Sequence, residues 1–262
     1  MKHRGGVARF FCRKILVTKN FMKIKVLYED SNILAIDKPS GISVHPSAVL
    51  GAVEKGEEKQ KFITDWVLKN YPKMKNVGEP LEKIKRPGIV HRLDRETSGV
   101  ILLAKNQKAF EFLKSQFMDR TITKTYYAIV SGFVKNDRGI INKPIGRSPK
   151  DFRRHLAGRG ARGEMREAIT EYKVLKRFEA QSKFTYLEIK PKTGRTHQIR
   201  VHMKFLNHPI VCDSLYNPDA PCPKGIKRLA LHAKSIEFQN LKGKTIKVES
   251  ILPKEFEKVL KS

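Results

Sequence analysis

The sequence predicts an α+β fold with a mixed, mostly antiparallel sheet, flanking helices and two subdomains around a central active-site cleft. Strand-like runs outnumber helical ones, and the two kinds do not alternate regularly, which favours α+β over α/β. A chain of 262 residues can bury one substantial core, or two subdomains that share a cleft.

The first half of the chain predicts strands and helices in a simple order. The run NILAIDKPSG at 32–41 reads as a buried strand closed by a Pro-Gly turn, and VILLA at 100–104 reads as a second strand. Two helices are predicted from apolar residues at helical spacing. The first contains Ile63, Trp66, Val67 and Tyr71, and the second, which follows Asn106, contains Ala109, Phe110, Leu113 and Phe117. We expect the charged insert GAVEKGEEKQK between the first strand and the first helix to be a mobile surface loop, and Trp66 to belong to the core.

The second half predicts mainly strands. Strand-like runs are KTYYAIVSGFV at 124–134, GIINKPIG at 139–146, LALHAKSIEF at 229–238 and TIKVESI at 245–251, and apolar alternation also occurs at 172–178 and 187–189. A turn is expected at Gly243. A short helix is expected from near Thr196, because Ile199, Met203 and Leu206 recur at helical spacing.

The formal net charge of +28 and the pI near 10.1 indicate a polyanionic partner, and nucleic acid is the commonest one inside cells. A generically basic surface is the alternative, but the arginines cluster between 147 and 166. Glycines in that segment exclude a regular helix throughout, so we predict a flexible loop that tracks phosphates, with Arg147, Arg153 and Arg154 as contacts.

Composition also bears on location. Residues 1–21 form a basic extension that could be an RNA-contacting arm, a transit-like segment or the product of an early start, since Met22 would begin a sensible first strand. No apolar run approaches the length of a membrane helix, so we expect a soluble, cytoplasmic protein. We also expect a monomer. Three cysteines outside any CxxC pair predict neither a disulfide framework nor a thiolate zinc site.

Several chemistries are disfavoured because their motifs are missing. The chain has no phosphate-binding loop ending in Lys-Ser/Thr, no GxGxxG and no HExxH. His197 and His202 stand five apart and cannot share a helix or strand face. We therefore expect no metal and no cofactor.

Asp94 is the strongest candidate for chemistry. It lies in HRLDRETSG at 91–99, among arginines and just before a buried strand. Such a carboxylate is often only a structural ion pair, yet an ionised and oriented one at the floor of a cleft is a competent nucleophile towards an anomeric carbon. Arg195, at the entrance of the helix predicted near Thr196, is its expected counter-ion.

The motifs HRLDRETSGVILLAK, KTYYAIVSG, KPIGR, EYKVL and PKTGRTHQIRVH, with ILAIDKPSGISVHPS before them, closely resemble the RluA-type family of RNA pseudouridine synthases. The resemblance runs from about residue 22 to 255, and it implies a catalytic domain at 22–262. It also implies the reaction, a cofactor-free isomerisation of uridines in ribosomal or transfer RNA. Many relatives carry a separate RNA-binding domain before this one, and this chain has too little sequence there for it.

The resemblance also implies roles for individual residues. Asp94 matches the catalytic aspartate, Tyr126 the active-site tyrosine that packs on the target base and is a candidate proton acceptor, and Arg195 the arginine that pairs with the aspartate. Arg92 matches the arginine that enters the RNA helix in place of the flipped uridine. Within the same motifs we expect His91, His197 and Arg200 to contact RNA.

Two other functions compete with this one. A non-catalytic RNA-binding or ribosome-assembly protein would use the same surface, but it predicts a damaged acid, tyrosine or arginine, and all three are present. A nucleoside or glycoside hydrolase would need a second well-placed acid, and Glu96 is expected to be solvated.

Overall fold

A computed structural model describes residues 23–46, 61–80 and 84–261 and confirms the predicted α+β class. The strands are β1 Lys25–Glu29, β2 Ile33–Lys38, β3 Ser98–Ala104, β4 Thr123–Ser131, β5 Arg138–Asn142, β6 Ile145–Arg147, β7 His155–Ala157, β8 Arg162–Arg166, β9 Ile169–Glu179, β10 Lys183–Pro191, β11 Leu231–Gln239 and β12 Thr245–Glu249. The helices are α1 Ile63–Asn70, α2 Gln107–Met118, α3 Gln198–Phe205 and α4 Lys254–Lys261, with a 3₁₀ turn at Pro72–Asn76. The basic extension at 1–21 and nearly all of the charged insert lie outside the described residues.

The main sheet has nine strands in the order β1-β2-β3-β11-β4-β10-β9-β5, with β12 beside β11. Its strands pair antiparallel except β3 and β11, which run parallel and pair through Ser98 with His232 and Gly99 with Ala233. Gly99 has a φ of 111°, and a Cβ atom there would overlap the backbone of Ala233. This short contact is the seam between two halves of the sheet, β1-β2-β3 and β11-β4-β10-β9-β5.

Separate cores lie against the sheet, and the core beneath α2 also includes Ile236 and Phe238 of β11. Strands β2 and β3 are buried on both faces, which explains why they read as continuous apolar runs instead of alternating ones. One face packs on α2 and the other on α1, where Trp66 is 6% exposed and belongs to the core as predicted. In the other half, β4 and β10 pack against α3 and α4. Helix α4 was not predicted, although Phe256 and Val259 bury one of its sides.

The prediction of a flexible loop at 147–166 is wrong in one respect. Strands β6, β7 and β8 form a separate three-stranded sheet, which we call the basic sheet, in the order β7-β6-β8. Gly158 and Gly160, both at positive φ, lie in the turn between β7 and β8, and Gly163, also at positive φ, lies within β8, whose pairing with β6 is irregular. The glycines therefore allow a tight turn and an irregular strand, and they do not keep the whole segment from forming a sheet.

One cysteine pairing was not anticipated. Cys212 and Cys222 are in disulfide contact, with their Cα atoms 5.4 Å apart, within the usual disulfide range. The spacing of ten residues matches no common motif, so only the folded chain brings the two side chains together.

Candidate active site

Two loops and a helix line a cleft of about 540 Å³ at the seam of the sheet. One wall comes from the loop before β3, a second from the end of α2 and the start of β4, and a third from Pro191 to Arg200. The cleft contains Asp94, Tyr126, Arg195 and Arg200 among its lining residues. The three residues predicted to be catalytic therefore share one cleft.

Asp94 pairs with Arg200. The Arg200 Nη1 atom lies 3.3 Å from Asp94 Oδ2, while Nε and Nη2 donate to the two carboxylate oxygens of Asp213, each at 2.8 Å. Asp213 is fully buried and also accepts the backbone N–H groups of Leu215 and Tyr216. Asp213 therefore fixes the guanidinium plane by a two-pronged contact and leaves one edge for Asp94.

The predicted ion pair between Asp94 and Arg195 is wrong. The Arg195 Nε atom donates to the backbone carbonyl of Glu167 at 2.9 Å, and its own N–H is held by Gln198 Oε1. Helix α3 begins at Gln198, later than predicted, so Arg195 lies in the preceding loop and Arg200 in the first turn of the helix. Two arginines five residues apart in GRTHQIR could not be told apart without the exact start of the helix.

A hydrogen-bonded chain orients His197 towards Asp94. The Tyr216 hydroxyl oxygen accepts the backbone N–H of His155 at 2.9 Å, and the hydroxyl lies 3.0 Å from His197 Nδ1. Because that oxygen already accepts from the backbone, its own proton best serves Nδ1, which leaves the proton of the imidazole on Nε2. Nε2 lies 4.0 Å from Asp94 Oδ1. Burial lowers the pKa of His197, so the ring faces the carboxylate in its neutral form.

Tyr126 and Lys124 enter the cleft from the same face of β4, because side chains two apart in a strand share a face. Burial, with a smaller contribution from the charge of Asp94, raises the pKa of the Tyr126 hydroxyl above its ordinary value. The phenol therefore stays protonated at neutral pH, which favours a role as a wall for the base over that of a proton acceptor. Burial lowers the pKa of Lys124 to about 8.

Lys38 ties the loop that carries Asp94 to the turn after β2. Its amine is fully buried and donates to the carbonyls of Pro39, Ile42 and Arg95 at 2.8, 2.8 and 3.0 Å. Burial lowers the pKa of this amine to about 7, against the opposing charge of Asp94 and Glu96. The DKPSG segment, which the sequence marked only as a turn, thus fixes the residue next to the acid.

The residues predicted to bind RNA fall into two groups. Arg92 is exposed on the cleft wall, and Arg147, Arg153 and Arg154 lie on or beside the basic sheet. His91 and Arg200 are instead engaged within the protein. His91 Nε2 accepts the Leu102 N–H at 2.8 Å, its ring stacks on Phe117, and burial lowers its pKa to about 3. His91 therefore supports strand β3, and Arg200 supports Asp94.

Neither a metal centre nor a membrane span is found in the part of the chain that the structure describes. Within residues 23–46, 61–80 and 84–261, no three His, Cys, Asp or Glu side chains are grouped so that they could hold a metal ion. No helix in those ranges has the length and apolar character to cross a membrane.

Comparison with known proteins identifies the family of the chain. The family model described as RNA pseudouridylate synthase matches residues 32–205, which include Asp94, Tyr126 and Arg200. The uncharacterized RNA pseudouridine synthase YlyB of Bacillus subtilis is 34% identical over 92% of this chain and 73% of its own length. The ribosomal large subunit pseudouridine synthase D of Borreliella burgdorferi is 40% identical over 89% of this chain and 66% of its own length.

An uncharacterized RNA pseudouridine synthase of Aquifex aeolicus is 42% identical, but the match covers 74% of this chain and only 56% of the relative's own length. Among solved structures, human RNA Pseudouridylate Synthase Domain Containing 4 superposes with a TM-score of 0.66 at 27% identity, covering 90% of this chain and 91% of that one. Human RNA Pseudouridylate Synthase Domain Containing 1 shares the fold, with a TM-score of 0.67 at 24% identity. The fold, the cleft and these matches agree: the chain belongs to the RNA pseudouridylate synthase family.

Proposed function

We propose that residues 22–262 form a catalytic domain that converts uridine in RNA to pseudouridine, with Asp94 as the catalytic carboxylate. The observation that carries this proposal is the placement of Asp94 in a basic cleft, oriented by Arg200, which Asp213 holds from behind. The carboxylate is 21% exposed, so it can reach a substrate atom while its partner stays buried.

The reaction requires the target base to leave the stack, at a cost of a few kcal/mol that phosphate contacts can offset. The bond between N1 of uracil and C1′ of ribose breaks, the uracil turns in place, and C5 forms the new bond to C1′. The proton on C5 is removed and N1 ends protonated, so atoms balance without a co-reactant. Three courses are open to Asp94 in this reaction: attack on the sugar, addition to the base, or abstraction of a sugar proton.

The neighbouring side chains have separable tasks in this proposal. Arg200 keeps Asp94 ionised and oriented, and the Nε2–H of His197 faces the second carboxylate oxygen. Tyr126 forms the wall against the uracil. Arg92 lies exposed on the cleft wall, where it can occupy the space left by the flipped base. Arg195, whose Nε donates to the backbone carbonyl of Glu167, is better placed to contact a phosphate than to contact Asp94.

We propose ribosomal or transfer RNA as the substrate. The name of the Borreliella burgdorferi relative refers to the large ribosomal subunit, which favours large-subunit ribosomal RNA. A monomer acting in the cytoplasm, where ribosomes assemble, fits this proposal. The non-catalytic alternative is disfavoured because acid, tyrosine and a buried arginine partner all meet in one cleft. A hydrolase would need a second carboxylate that can reach the substrate, and neither neighbouring acid fits. Asp213 is buried and paired with Arg200, and the partly exposed Glu96 pairs with Arg95.

The test is Asp94→Asn, with Glu96→Gln as the matched control two residues away. Asp94→Asn should abolish pseudouridine formation in single-turnover assays while RNA affinity stays within about a few-fold, since phosphate contacts dominate binding. Glu96→Gln should stay near wild type. Residual activity of Asp94→Asn above about a tenth of wild type would refute the role of Asp94. Mapping pseudouridines in total RNA from cells with and without the gene would name the substrate.

A further inference from the structure

Phe152 is the most exposed of the aromatic side chains in the described residues, with 75% of its surface in solvent. A single exposed apolar residue is common on protein surfaces and by itself indicates nothing. Phe152 differs in three respects: its turn is fixed, its surroundings are basic, and the turn adjoins the candidate active site.

The turn is fixed by Asp151. The Asp151 carboxylate accepts the Arg153 N–H at 2.9 Å and receives the Arg153 guanidinium on both oxygens, at 3.1 and 2.9 Å. The backbone closes around it, since Arg154 N donates to Asp151 O at 2.9 Å and Ser148 N donates to Arg154 O at 3.0 Å. Phe152 therefore stands at the tip of a turn whose neighbours on both sides are held in place.

The turn is connected to the cleft through His155, whose ring contacts that of the cleft residue His197. Strands β6 and β7 flank it, and Arg147 pairs with His155 at their ends. The His155 ring centroid is 5.9 Å from that of His197, whose Nε2 lies 4.0 Å from Asp94. Phe152 lies three positions before His155, so their Cα atoms are no more than about 11 Å apart. The ring is thus within a few nucleotides of a uridine bound at Asp94.

The charge around the ring selects the partner. Arg147, Lys150, Arg159 and Arg162 are exposed in the same segment, and only Asp151 and Glu164 oppose them. A second copy of a chain with net charge +28 would be repelled from this surface. Nucleic acid offers phosphates to the cations and a flat apolar face to the ring, and such aromatic and cationic mixtures hold unpaired bases.

We infer that Phe152 is a stacking platform for an unpaired base of the substrate RNA, a few nucleotides from the target uridine. The inference rests on the proposed function, because it requires RNA to be bound at Asp94. It assigns the basic sheet two tasks, phosphate contact by its arginines and recognition of an unstacked base by Phe152. Substrate RNAs whose target lies in a loop, where such a base is available, are favoured over uniform duplex.

The test compares Phe152→Ala, Phe152→Leu and Phe152→Trp on the shortest ribosomal or transfer RNA transcript that the wild-type protein converts. Phe152→Ala should weaken binding about 5- to 100-fold, and Phe152→Leu nearly as much, because both lose the stacking surface. Phe152→Trp should bind like wild type. The single-turnover rate at saturating RNA should stay within about twofold for all three, and the salt dependence of binding should not change, since no charge is lost.

Ile140→Ala is the matched control. Ile140 is 68% exposed on β5, and it points away from α3, because the next residue, Ile141, packs in the core with Ile199. A second readout places 2-aminopurine at each position near the target uridine, and wild type should change its fluorescence at one position where Phe152→Ala does not.

If Phe152→Ala binds like Ile140→Ala, or if Phe152→Leu binds like wild type, the stacking inference is overturned. A wild-type protein that converts no transcript would instead overturn the proposed function. The two failures are therefore distinguishable.

Discussion

Arg200 contacts two carboxylates at once, and this arrangement sets the chemistry of the site at the scale of single residues. Burial by itself would lower the pKa of Arg200, but the hydrogen bonds and charge of Asp213, together with the charge of Asp94, raise it above its ordinary value. A single guanidinium thus serves one sealed acid and one open acid. Asp213 accepts from the Nε and Nη2 atoms of Arg200, so only Nη1 contacts Asp94, and the Asp94 carboxylate stays open to the cleft.

Asp213→Asn tests whether Asp213 acts through Arg200. The amide keeps the shape but replaces one accepting oxygen by a donor that faces the guanidinium, so Arg200 should shift and Asp94 lose its orientation. We expect the single-turnover rate to fall by about 10²-fold while RNA affinity stays within about threefold. In the double variant Asp94→Asn, Asp213→Asn, the loss should be no greater than for Asp94→Asn alone. Additive losses would place Asp213 outside the catalytic unit.

Arg195 and Arg200 should separate cleanly when they are compared. Arg200→Lys cannot form the two-pronged contact with Asp213 and still reach Asp94, so single-turnover chemistry should fall by about 10²-fold or more. Arg195→Ala should keep a near wild-type single-turnover rate and lose affinity instead. Unfolding monitored by circular dichroism is the control for Arg200→Lys. A loss of chemistry in Arg195→Ala with normal affinity would contradict the assignment of Asp94 to Arg200.

The sequence predicted Asp94 as the candidate acid but did not predict the arginine that contacts it. HRLD places a carboxylate before a buried strand, and that pattern is local. The partner depends on where α3 begins and on Asp213, which lies 13 residues from Arg200 and is brought to it only by the folded chain. Asp213 was missed, and the available signal was weak: an acid directly after the apolar run Pro209–Val211 and Cys212.

At the scale of elements, Lys38 holds the turn after β2 to the loop before β3 that carries Asp94. The turn after β2 also donates two further hydrogen bonds to the loop before β3: Gly41 N donates to Arg95 O at 2.9 Å, and the Ser40 side-chain Oγ donates to Glu96 O at 2.6 Å. Lys38 lies at the centre of this contact with every amine proton directed at a carbonyl. The two strands were predictable from apolar runs, but a buried lysine was not, because lysine in a strand usually marks an exposed position.

Lys38→Met predicts a pH-dependent effect on stability. The folded pKa is near 7 and an unfolded lysine titrates near 10.4, so between these values the unfolded state binds the extra proton. The wild-type contribution of Lys38 to the unfolding free energy is therefore smallest below about pH 7 and rises with pH, by at most about 1.4 kcal/mol per unit. Urea denaturation of both proteins at about pH 6, 7.5 and 9 measures this. Parallel pH profiles for the two proteins would show that Lys38 titrates normally.

At the scale of the whole molecule, the net charge of +28 attracts RNA over long range, before any base-specific contact forms. The arginines of the basic sheet do not contribute equally. Arg153 and Arg154 both pair with Asp151, whereas Arg147 and Arg159 are exposed without a described ion pair. The sequence alone predicted Arg147, Arg153 and Arg154 alike as contacts, because it could not show which side chains Asp151 holds.

Neutralising Arg147 and Arg159 together should therefore weaken binding to all RNAs alike. The slope of log affinity against log salt should become shallower by about one for each lost phosphate contact, and the rate on bound RNA should survive. Arg153→Ala should change the slope less, because Asp151 already compensates its charge. Binding titrations at several salt concentrations test this, and an unchanged slope in the double variant would mean that the basic sheet is solvated surface.

The seam between β3 and β11 has an evolutionary consequence. Asp94 precedes β3 in one half of the sheet, and Arg200 follows β10 in the other. The distance between the Asp94 carboxylate and the Arg200 guanidinium is therefore set where the two halves meet. At that seam Gly99 lies against the backbone of Ala233, and any side chain there would force the halves apart. We therefore expect selection for catalysis to act on Gly99, a residue with no functional group of its own. Descendants of this gene are expected to tolerate many surface changes near the cleft sooner than a single methyl group at position 99.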